Sequence, residues 1–349
     1  MEFWGIHRVL FFIGALFWAN FVQSAPRTKS HHHECPKGDW KNSLVVHHIA
    51  VGQGDATFLR TPSGTTVLID AGLPGRGKAD VVPTLKTCYQ LESLDYVVLT
   101  HFDQDHHGGL AQVLKHFKVG RALYDPGDKM YTGATGPKTM FSRFKKAADA
   151  TGKRKVPAVG RTAIPDKSVD FTIVSVNGKI FNHASFPVLN DKGKPKDDNA
   201  ISISLLVRYG TFDYFIGGDL TGGGNRTPDL ESAVARTVGD VDVLHANHHG
   251  SETSSNDTFL KTLEPEHVVI SVGNGGLNKG RYHHPETSVL ERLDSYSFVR
   301  NVFQTAKGES LAPPAVKQKV TNMNGDVILI AEKHDFLVQG FGEFRTDGD

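Results

Sequence analysis

Apolar segments that end in clusters of histidine and aspartate constrain the fold of this 349-residue chain more than any other feature. The segment "LDYVVLT" runs directly into "HFDQDHHGG", which contains His101, Asp103, Asp105, His106 and His107. Other apolar runs end close to Asp70, Asp219, His248-His249 and His283-His284. Because strand ends and their loops converge on one edge of a layered α/β structure, the pattern predicts a single site at that edge.

The order of the segments predicts an α/β fold. From Leu44 onward, short β-type runs alternate with helical segments such as "GLAQVLKHF", whose apolar residues recur at helical spacing. Two half-molecules, each a sheet covered by helices, are the natural packing for this order, in one domain over residues 41–349. Near the end of the chain, Asn324-Gly325 predicts a hairpin within "VKQKVTNMNGDVILIAE".

The N-terminal residues have the pattern of a targeting segment. The apolar run "VLFFIGALFWANFV" has the length of a signal-peptide core, and small residues near Ser24 suit cleavage there. We therefore expect a signal peptide over residues 1–24, a flexible segment over 25–40 that includes His31–His33, and a secreted protein without stable membrane association. The competing interpretation is an uncleaved signal anchor.

Cysteine content and net charge give weaker constraints. Cys35 and Cys88 are the only cysteines, and they either form one disulfide in an oxidising compartment or remain two separate thiols. The formal net charge of +1 gives no strong electrostatic case for a nucleic-acid partner. A nuclease stays open nevertheless, because bound metals can supply the local positive potential.

The spacing of the first cluster suits a metal site. Alternate residues of an extended loop point the same way, so His101, Asp103 and Asp105 can converge. His106 begins the next helix and can add a fourth group, while Gly108-Gly109 let the backbone come close. Imidazole and carboxylate donors without a thiolate suit Zn, Mn or Fe and argue against a structural zinc knot.

The same motifs carry a family resemblance. "THFDQDHHGG" resembles the H-x-[HD]-x-D-H signature of the metallo-β-lactamase superfamily. "VGQGDATFLRTPSGTTVLIDAG", "NAISISLLVRYGTFDYFIGGDL" and "NHHGSETSSND" resemble the hydrolase domain of ComEC-type DNA-uptake proteins, and a bacterial phosphorylcholine esterase is similar. The resemblance extends over roughly residues 44–284. It implies a four-layer αββα sandwich with a metal site at one edge of its two sheets.

The resemblance also implies a ligand set for two divalent metal ions, with zinc expected and manganese as the alternative. His101 and Asp103 match the first metal position, and Asp219 matches the carboxylate that bridges both ions. The second position is matched by three residues: Asp105, His106 and His248. Where the superfamily often has a further histidine this chain has Asn199, which is expected to be a weak ligand or a substrate contact.

Further residues near the motifs have expected supporting roles. His284, in "YHHP", resembles a late histidine of the same branch and either donates a hydrogen bond or proton to the leaving oxygen or orients the next helix. Asp55 and Asp70 are expected to support ligands or loops. His107 and His249 each follow a presumed ligand and are expected to point away from the metals.

The expected activity is metal-dependent hydrolysis of phosphodiesters, as a nuclease or as a phosphodiesterase on a smaller headgroup. Asp105 and His284 are the expected catalytic residues, with a metal-bound hydroxide as the attacking group. Acyl hydrolysis of a lactam, lactone or thioester is the alternative, although lactam hydrolases usually carry histidine where this chain has Asp103. A secreted binding protein with a degraded site is the third hypothesis, and Asn199 is its one support.

A basic, glycine-rich segment over residues 129–167 has two open interpretations. Its lysines could cover the site and contact phosphates, or the segment could be a solvated surface excursion. The expected partner is a small-molecule or nucleic-acid phosphoester, and the sequence does not indicate an oligomeric state.

Overall fold

The computed structural model describes residues 33–133, 137–274 and 283–346, and two β-sheets form its centre. The predicted signal peptide lies outside these residues. The strands are β1 Leu44–His48, β2 Thr57–Arg60, β3 Thr66–Ile69, β4 Ser93–Val98, β5 Lys118–Tyr124, β6 Arg154–Lys155, β7 Asp170–Val176, β8 Lys179–Ile180, β9 Ser204–Tyr209, β10 Phe212–Ile216, β11 Val243–His245, β12 His267–Ile270, β13 Asn301–Gln304, β14 Val320–Asn322, β15 Val327–Ala331, β16 Asp335–Val338 and β17 Gly342–Arg345.

The strand orders show that each sheet mixes parallel and antiparallel pairs. Within the described ranges, the first sheet has the order β17-β16-β15-β1-β2-β3-β4-β5-β6 and the second has β14-β13-β12-β11-β10-β9-β7-β8. In the first sheet β3, β4 and β5 run parallel, and in the second β10, β11, β12 and β13 run parallel. These parallel strands therefore bring their carboxyl ends to a shared edge in each sheet.

Helices cover the outer face of both sheets. They are α1 Val82–Tyr89, α2 Gln104–His107, α3 Leu110–Val113, α4 Lys138–Ala150, α5 Glu231–Val238, α6 Asp257–Leu263 and α7 Thr287–Ser295. Pro83 lies in the first turn of α1, which directly continues a π-helical turn, Gly77–Val81. In the described part of the chain, none of these helices is both long and apolar enough to cross a membrane.

Alternation along the strands produces two apolar layers. In β3, Val67 and Ile69 face the other sheet, whereas Leu68 faces the helices. In β10, Ile216 likewise faces the first sheet and Phe215 packs on the helical side. All five side chains are fully or almost fully buried, as strands covered on both faces require. The fold is therefore the expected αββα sandwich.

The predicted C-terminal hairpin is wrong. β14 pairs in parallel with β13 in the second sheet, whereas β15 pairs with β1 in the first sheet. Asn324, with φ of 52°, lies in the turn that carries the chain from one sheet to the other. β15 is buried on both faces and suits a central position, while β14 is only partly buried and suits an edge.

The segment before β1 is attached to the domain by a disulfide and by several hydrogen bonds. Cys35 forms a disulfide with Cys88, which decides between the two alternatives for the cysteines. His33 lies between two buried carboxylates, with Nδ1 3.0 Å from Asp326 Oδ1 and Nε2 3.1 Å from Asp80 Oδ1. Residues 33–40 were expected to belong to a flexible segment, and these contacts instead hold His33 and Cys35 against the folded domain.

The charge of His33 makes this attachment depend on pH. Burial lowers the pKa of the imidazole, but the carboxylates of Asp326 and Asp80 outweigh that effect and raise it to about 9. Because the folded pKa exceeds the ordinary 6.5, the stabilisation is complete below about pH 6.5 and is lost as the pH rises through 9.

We predict that His33→Gln destabilises the protein by about 1–2 kcal/mol near pH 6, after allowance for solvent screening of the half-buried ring. The difference in the free energy of unfolding between the variant and the wild type should shrink between pH 6.5 and 9. Thermal unfolding at constant metal loading measures this difference. His116→Gln, at an exposed histidine after α3, is the control. A difference that stays constant over this pH range would contradict the prediction.

Candidate metal centre

The ends of parallel strands from both sheets form the candidate site. Asp70 follows β3, and His101 lies three residues beyond the end of β4, both in the first sheet. Asp219 follows β10, and His249 follows β11, both in the second sheet. The expected convergence at one edge is therefore observed, with each sheet contributing part of the site.

The first cluster consists of His101, Asp103 and Asp219, whose candidate ligand atoms lie within 4.8 Å of one another. His101 Nε2 is 3.8 Å from Asp103 Oδ2 and 3.6 Å from Asp219 Oδ2. His101 Nε2 and Asp103 Oδ1 are buried and have no hydrogen-bond partner among the described residues. Buried polar atoms without partners are costly, so their convergence suits a cation.

The second cluster consists of Asp55, His106, Asp219 and His249, all of them buried. His106 Nε2 lies 3.1 Å from Asp219 Oδ1 and 3.3 Å from His249 Nε2. Asp105 faces the same group, with Oδ2 3.5 Å from His249 Nε2. Two facing imidazole nitrogens surrounded by carboxylates are a suitable donor set for a divalent metal ion.

Asp219 belongs to both clusters and remains anionic. Burial raises the pKa of its carboxyl group, but the surrounding histidines, with His106 the strongest, outweigh burial and hold the pKa well below its usual range. Its Oδ1 faces the second cluster and its Oδ2 faces the first. The two clusters are therefore consistent with a binuclear metal site bridged by this carboxylate.

Hydrogen bonds on the far sides of the rings orient two of the histidines. His106 Nδ1 lies 2.8 Å from Asp70 Oδ2, and His249 Nδ1 lies 2.9 Å from the backbone oxygen of Ser271. With Nδ1–H donating in each case, the lone pair of Nε2 is directed into the second cluster. Asp70 thus has the supporting position expected from the sequence.

Two glycines permit the close backbone packing below the ligands. A Cβ on Gly109 would lie 2.0 Å from the backbone oxygen of Ala71, and one on Gly54 would lie 2.3 Å from that of Asp105. Gly54 also has φ of +127°, which side chains rarely adopt. Glycine at these two positions lets the "HFDQDHHGG" segment pack directly against Ala71 and the "VGQGD" turn.

The orientation of His249 differs from the expectation, whereas His248 Nε2 faces Asp219 without joining either cluster. His249 lies in the second cluster, whereas His248 lies in neither cluster, with Nε2 3.7 Å from Asp219 Oδ2 and Nδ1 2.8 Å from Thr253 Oγ1. Both residues have left-handed backbones, with φ of 51° and 53°. The alternation expected of extended residues therefore does not apply to them.

The remaining predicted residues lie around the two clusters. Asn199 Nδ2 is 3.4 Å from both ring nitrogens of His248, beside the first cluster. His107 Nδ1 is 2.8 Å from the backbone oxygen of Asp103, so this ring is engaged away from the metal clusters, as expected. Asp55 was expected only to support ligands or loops, and its place in the second cluster makes it a candidate ligand.

His284 lies against the histidine pair. Its ring centroid is 5.6 Å from that of His248 and 6.3 Å from that of His249. Burial, together with the neighbouring His248 and His249, lowers the pKa of His284 to about 3. The imidazole is therefore neutral in the physiological range and carries one ring N–H.

Comparisons with known proteins agree with this fold and site. Residues 49–178 match the family described as the Metallo-beta-lactamase superfamily. ComE operon protein 3 of Bacillus subtilis (strain 168) is 30% identical over 273 residues, which are 72% of this chain and 31% of that protein. Recombination protein 2 of Haemophilus influenzae is 28% identical over 258 residues, which are 73% of this chain and 27% of that protein.

The chain therefore spans about a third or less of the length of these curated relatives. Among solved structures, the metallo-beta-lactamase fold protein YhfI from Bacillus subtilis matches with a TM-score of 0.38 and 13% identity, covering 67% of this chain and 88% of that one. The chain belongs to the metallo-beta-lactamase superfamily, in a branch similar to these competence-related proteins. Its buried His/Asp clusters are candidates for the metal site of that superfamily.

We predict that Asp219→Asn abolishes binding of both metal ions, because this carboxylate faces both clusters. Metal content by mass spectrometry should fall from two ions per chain to fewer than one. Chelation should lower the melting temperature of the wild type, whose bound ions stabilise the native state, but not that of the variant. Asp191→Asn, at an exposed loop position, is the control, and retention of two ions by Asp219→Asn would contradict the bridging assignment.

Proposed function

We propose that the protein is a secreted phosphodiester hydrolase that acts on nucleic acid or on a smaller phosphodiester with two divalent ions, zinc being the expected metal. The observation that carries this proposal is the sharing of Asp219 between the two clusters. A shared carboxylate would hold two ions side by side. When bound, such a pair of ions supplies a polarised water and positive charge for the substrate oxygens.

The charge of the candidate ligands is compatible with an anionic substrate. The four carboxylates of Asp55, Asp103, Asp105 and Asp219 would offset the four positive charges of two divalent ions. The loaded site would therefore be close to neutral and would not repel a phosphodiester anion. Asp103 also weighs against lactam hydrolysis, because lactam hydrolases usually carry histidine at the matching position.

The protein's own side chains have distinct tasks in this proposal. His101, Asp103 and Asp219 would hold one ion, and His106, His249 and Asp219 the other, with Asp55 and Asp105 as further donors to the second. Asp70 fixes the ring of His106. We assign the neutral ring N–H of His284 to the leaving-group oxygen, where it would donate a hydrogen bond.

A basic segment beside the site supports a substrate with more than one phosphate. Residues 129–167 contain ten lysines and arginines but two aspartates, in a chain whose net charge is only +1. Thr132 Oγ1 donates to Asp198 Oδ2 at 2.6 Å, directly before Asn199. This contact attaches the basic segment to the chain that leads into Asn199.

Two observations support secretion. The N-terminal sequence has the organisation of a signal peptide, and the Cys35–Cys88 disulfide suits an oxidising compartment. After cleavage, the proposed mature protein would have no stable membrane association.

We predict that expression with export yields a mature chain that begins near Ala25, because the small residues before it suit a signal peptidase. N-terminal sequencing of the protein from the medium tests this, with a cytoplasmically expressed chain as the control. An uncleaved chain that remains in the membrane fraction would support the signal-anchor alternative instead.

We predict that the metal-loaded protein hydrolyses bis-p-nitrophenyl phosphate or single-stranded DNA and leaves nitrocefin intact. An Asp105→Ala/His106→Ala variant should lose more than about 100-fold of this activity, because the second cluster loses two of its facing groups. Product absorbance and gel electrophoresis measure the two phosphodiester reactions. Asp191→Asn again serves as the matched surface control.

The assay also distinguishes the alternatives. Turnover of nitrocefin without phosphodiester turnover would overturn the proposal in favour of acyl hydrolysis. Absence of both turnover and bound metal would favour a binding protein.

A further inference from the structure

Glu231 is a fully buried carboxylate that lies outside both metal clusters. It is the first residue of α5 and has 0% exposure. A buried carboxylate is costly unless hydrogen bonds satisfy its oxygens. All the hydrogen bonds of this side chain go to one loop, residues 247–256, which also contains His248 and His249.

The carboxylate joins the two ends of that loop. Oε1 accepts from Asn247 Nδ2 at 2.7 Å and from the backbone N–H of Ser255 at 2.7 Å. Oε2 accepts from the backbone N–H of Asn256 at 2.8 Å. Asn247 directly precedes the histidine pair, while Ser255 and Asn256 close the loop before α6. Glu231 therefore joins the beginning and the end of the loop, together with Ser254 Oγ, which donates to the backbone oxygen of Asn247 at 2.7 Å.

The loop needs such support because its backbone is unfavourable. His248, His249 and Ser255 have φ of 51°, 53° and 55°, in the left-handed region that costs free energy for residues other than glycine. Such conformations persist only where surrounding contacts impose them. The alternative backbone, with extended residues, would turn the ring of His249 away from the second cluster.

Two glycines make room for the contact between Glu231 and Asn247. A Cβ on Gly222 would lie 2.2 Å from Glu231 Oε2, and a Cβ on Gly217 would lie 2.2 Å from Asn247 Oδ1. Gly217 is two residues before Asp219, which faces both clusters. The buried Glu231–Asn247 pair thus packs against the segment that carries the shared carboxylate.

We propose that Glu231 is a positioning residue of the metal centre: by joining the two ends of the 247–256 loop, it holds His249 in the second cluster. The inference rests on the proposed function only in taking the two clusters as metal sites. Glu231 itself touches neither substrate nor metal. Its effect is expected to be strongest on the cluster that contains His249, because the loop that it joins carries that ligand.

The test is Glu231→Gln in the full mature chain, with Co²⁺ as the probe. The substitution preserves shape but replaces one acceptor oxygen by an NH₂ group, which would face a backbone or side-chain N–H donor. Titration of the metal-free protein, followed by visible absorption, should resolve two binding events in the wild type. We expect one event to weaken by about 10- to 100-fold in the variant, the loss typical of disturbed support for a ligand, while the other is preserved.

Two further variants separate positioning from general destabilisation. Val234→Ala removes buried volume from the same helix and leaves the hydrogen-bonding groups of Glu231 in place, so both events should keep their wild-type affinities. Gly222→Ala keeps the charge of Glu231 but would force its carboxylate to move, so it should reproduce the selective loss. Gly222→Ala also keeps the proposal testable if Glu231→Gln does not fold.

The outcomes distinguish this inference from the proposed function. Unchanged Co²⁺ binding in Glu231→Gln, or equal weakening of both events, would overturn the positioning role and leave the metal centre intact. Absence of Co²⁺ binding by the wild type would overturn the metal centre itself, and the inference with it.

Discussion

The buried carboxylate of Asp219 is the interaction on which the rest of the site depends. It extends from the second sheet toward His101 and His106, which belong to the first. Surrounded by imidazoles, the carboxylate stays ionised despite its burial. The two sheets must therefore close with this edge in register, because a shift of either one would separate the anion from the groups that compensate it.

Further hydrogen bonds surround this centre and fix its ligands. Asp70 orients His106, and the backbone oxygen of Ser271 orients His249. Glu231, farther out, joins the ends of the loop that carries His249. Each of these groups comes from the end of a strand or the start of a helix. The positions of these rigid elements therefore determine where the metal-facing atoms lie.

Much of the site was predictable because its residues are neighbours in sequence. The spacing of His101 and Asp103 predicts that they converge, since alternate residues of an extended segment point the same way, whereas Asp105 lies in α2 and faces the second cluster instead. The expectation that His249 points away from the metals is wrong, because left-handed backbone conformations outside glycine leave little trace in a sequence. The role of Asp55 was underestimated because its distance from His249 is set entirely by the packing of the two sheets.

The fold likewise has features that depend on local sequence and features that depend on tertiary packing. Alternating apolar segments, with polar clusters at their ends, determined the α/β class and the edge that bears the site, while the family resemblance of the motifs implied the αββα sandwich and most of the metal-facing residues. Only the tertiary structure decided which sheet each late strand joins, since the Asn324-Gly325 turn suits a hairpin and a crossing between sheets equally well. It also decided that His33 meets Asp326, 293 residues away, because such contacts arise from packing and not from local sequence preference.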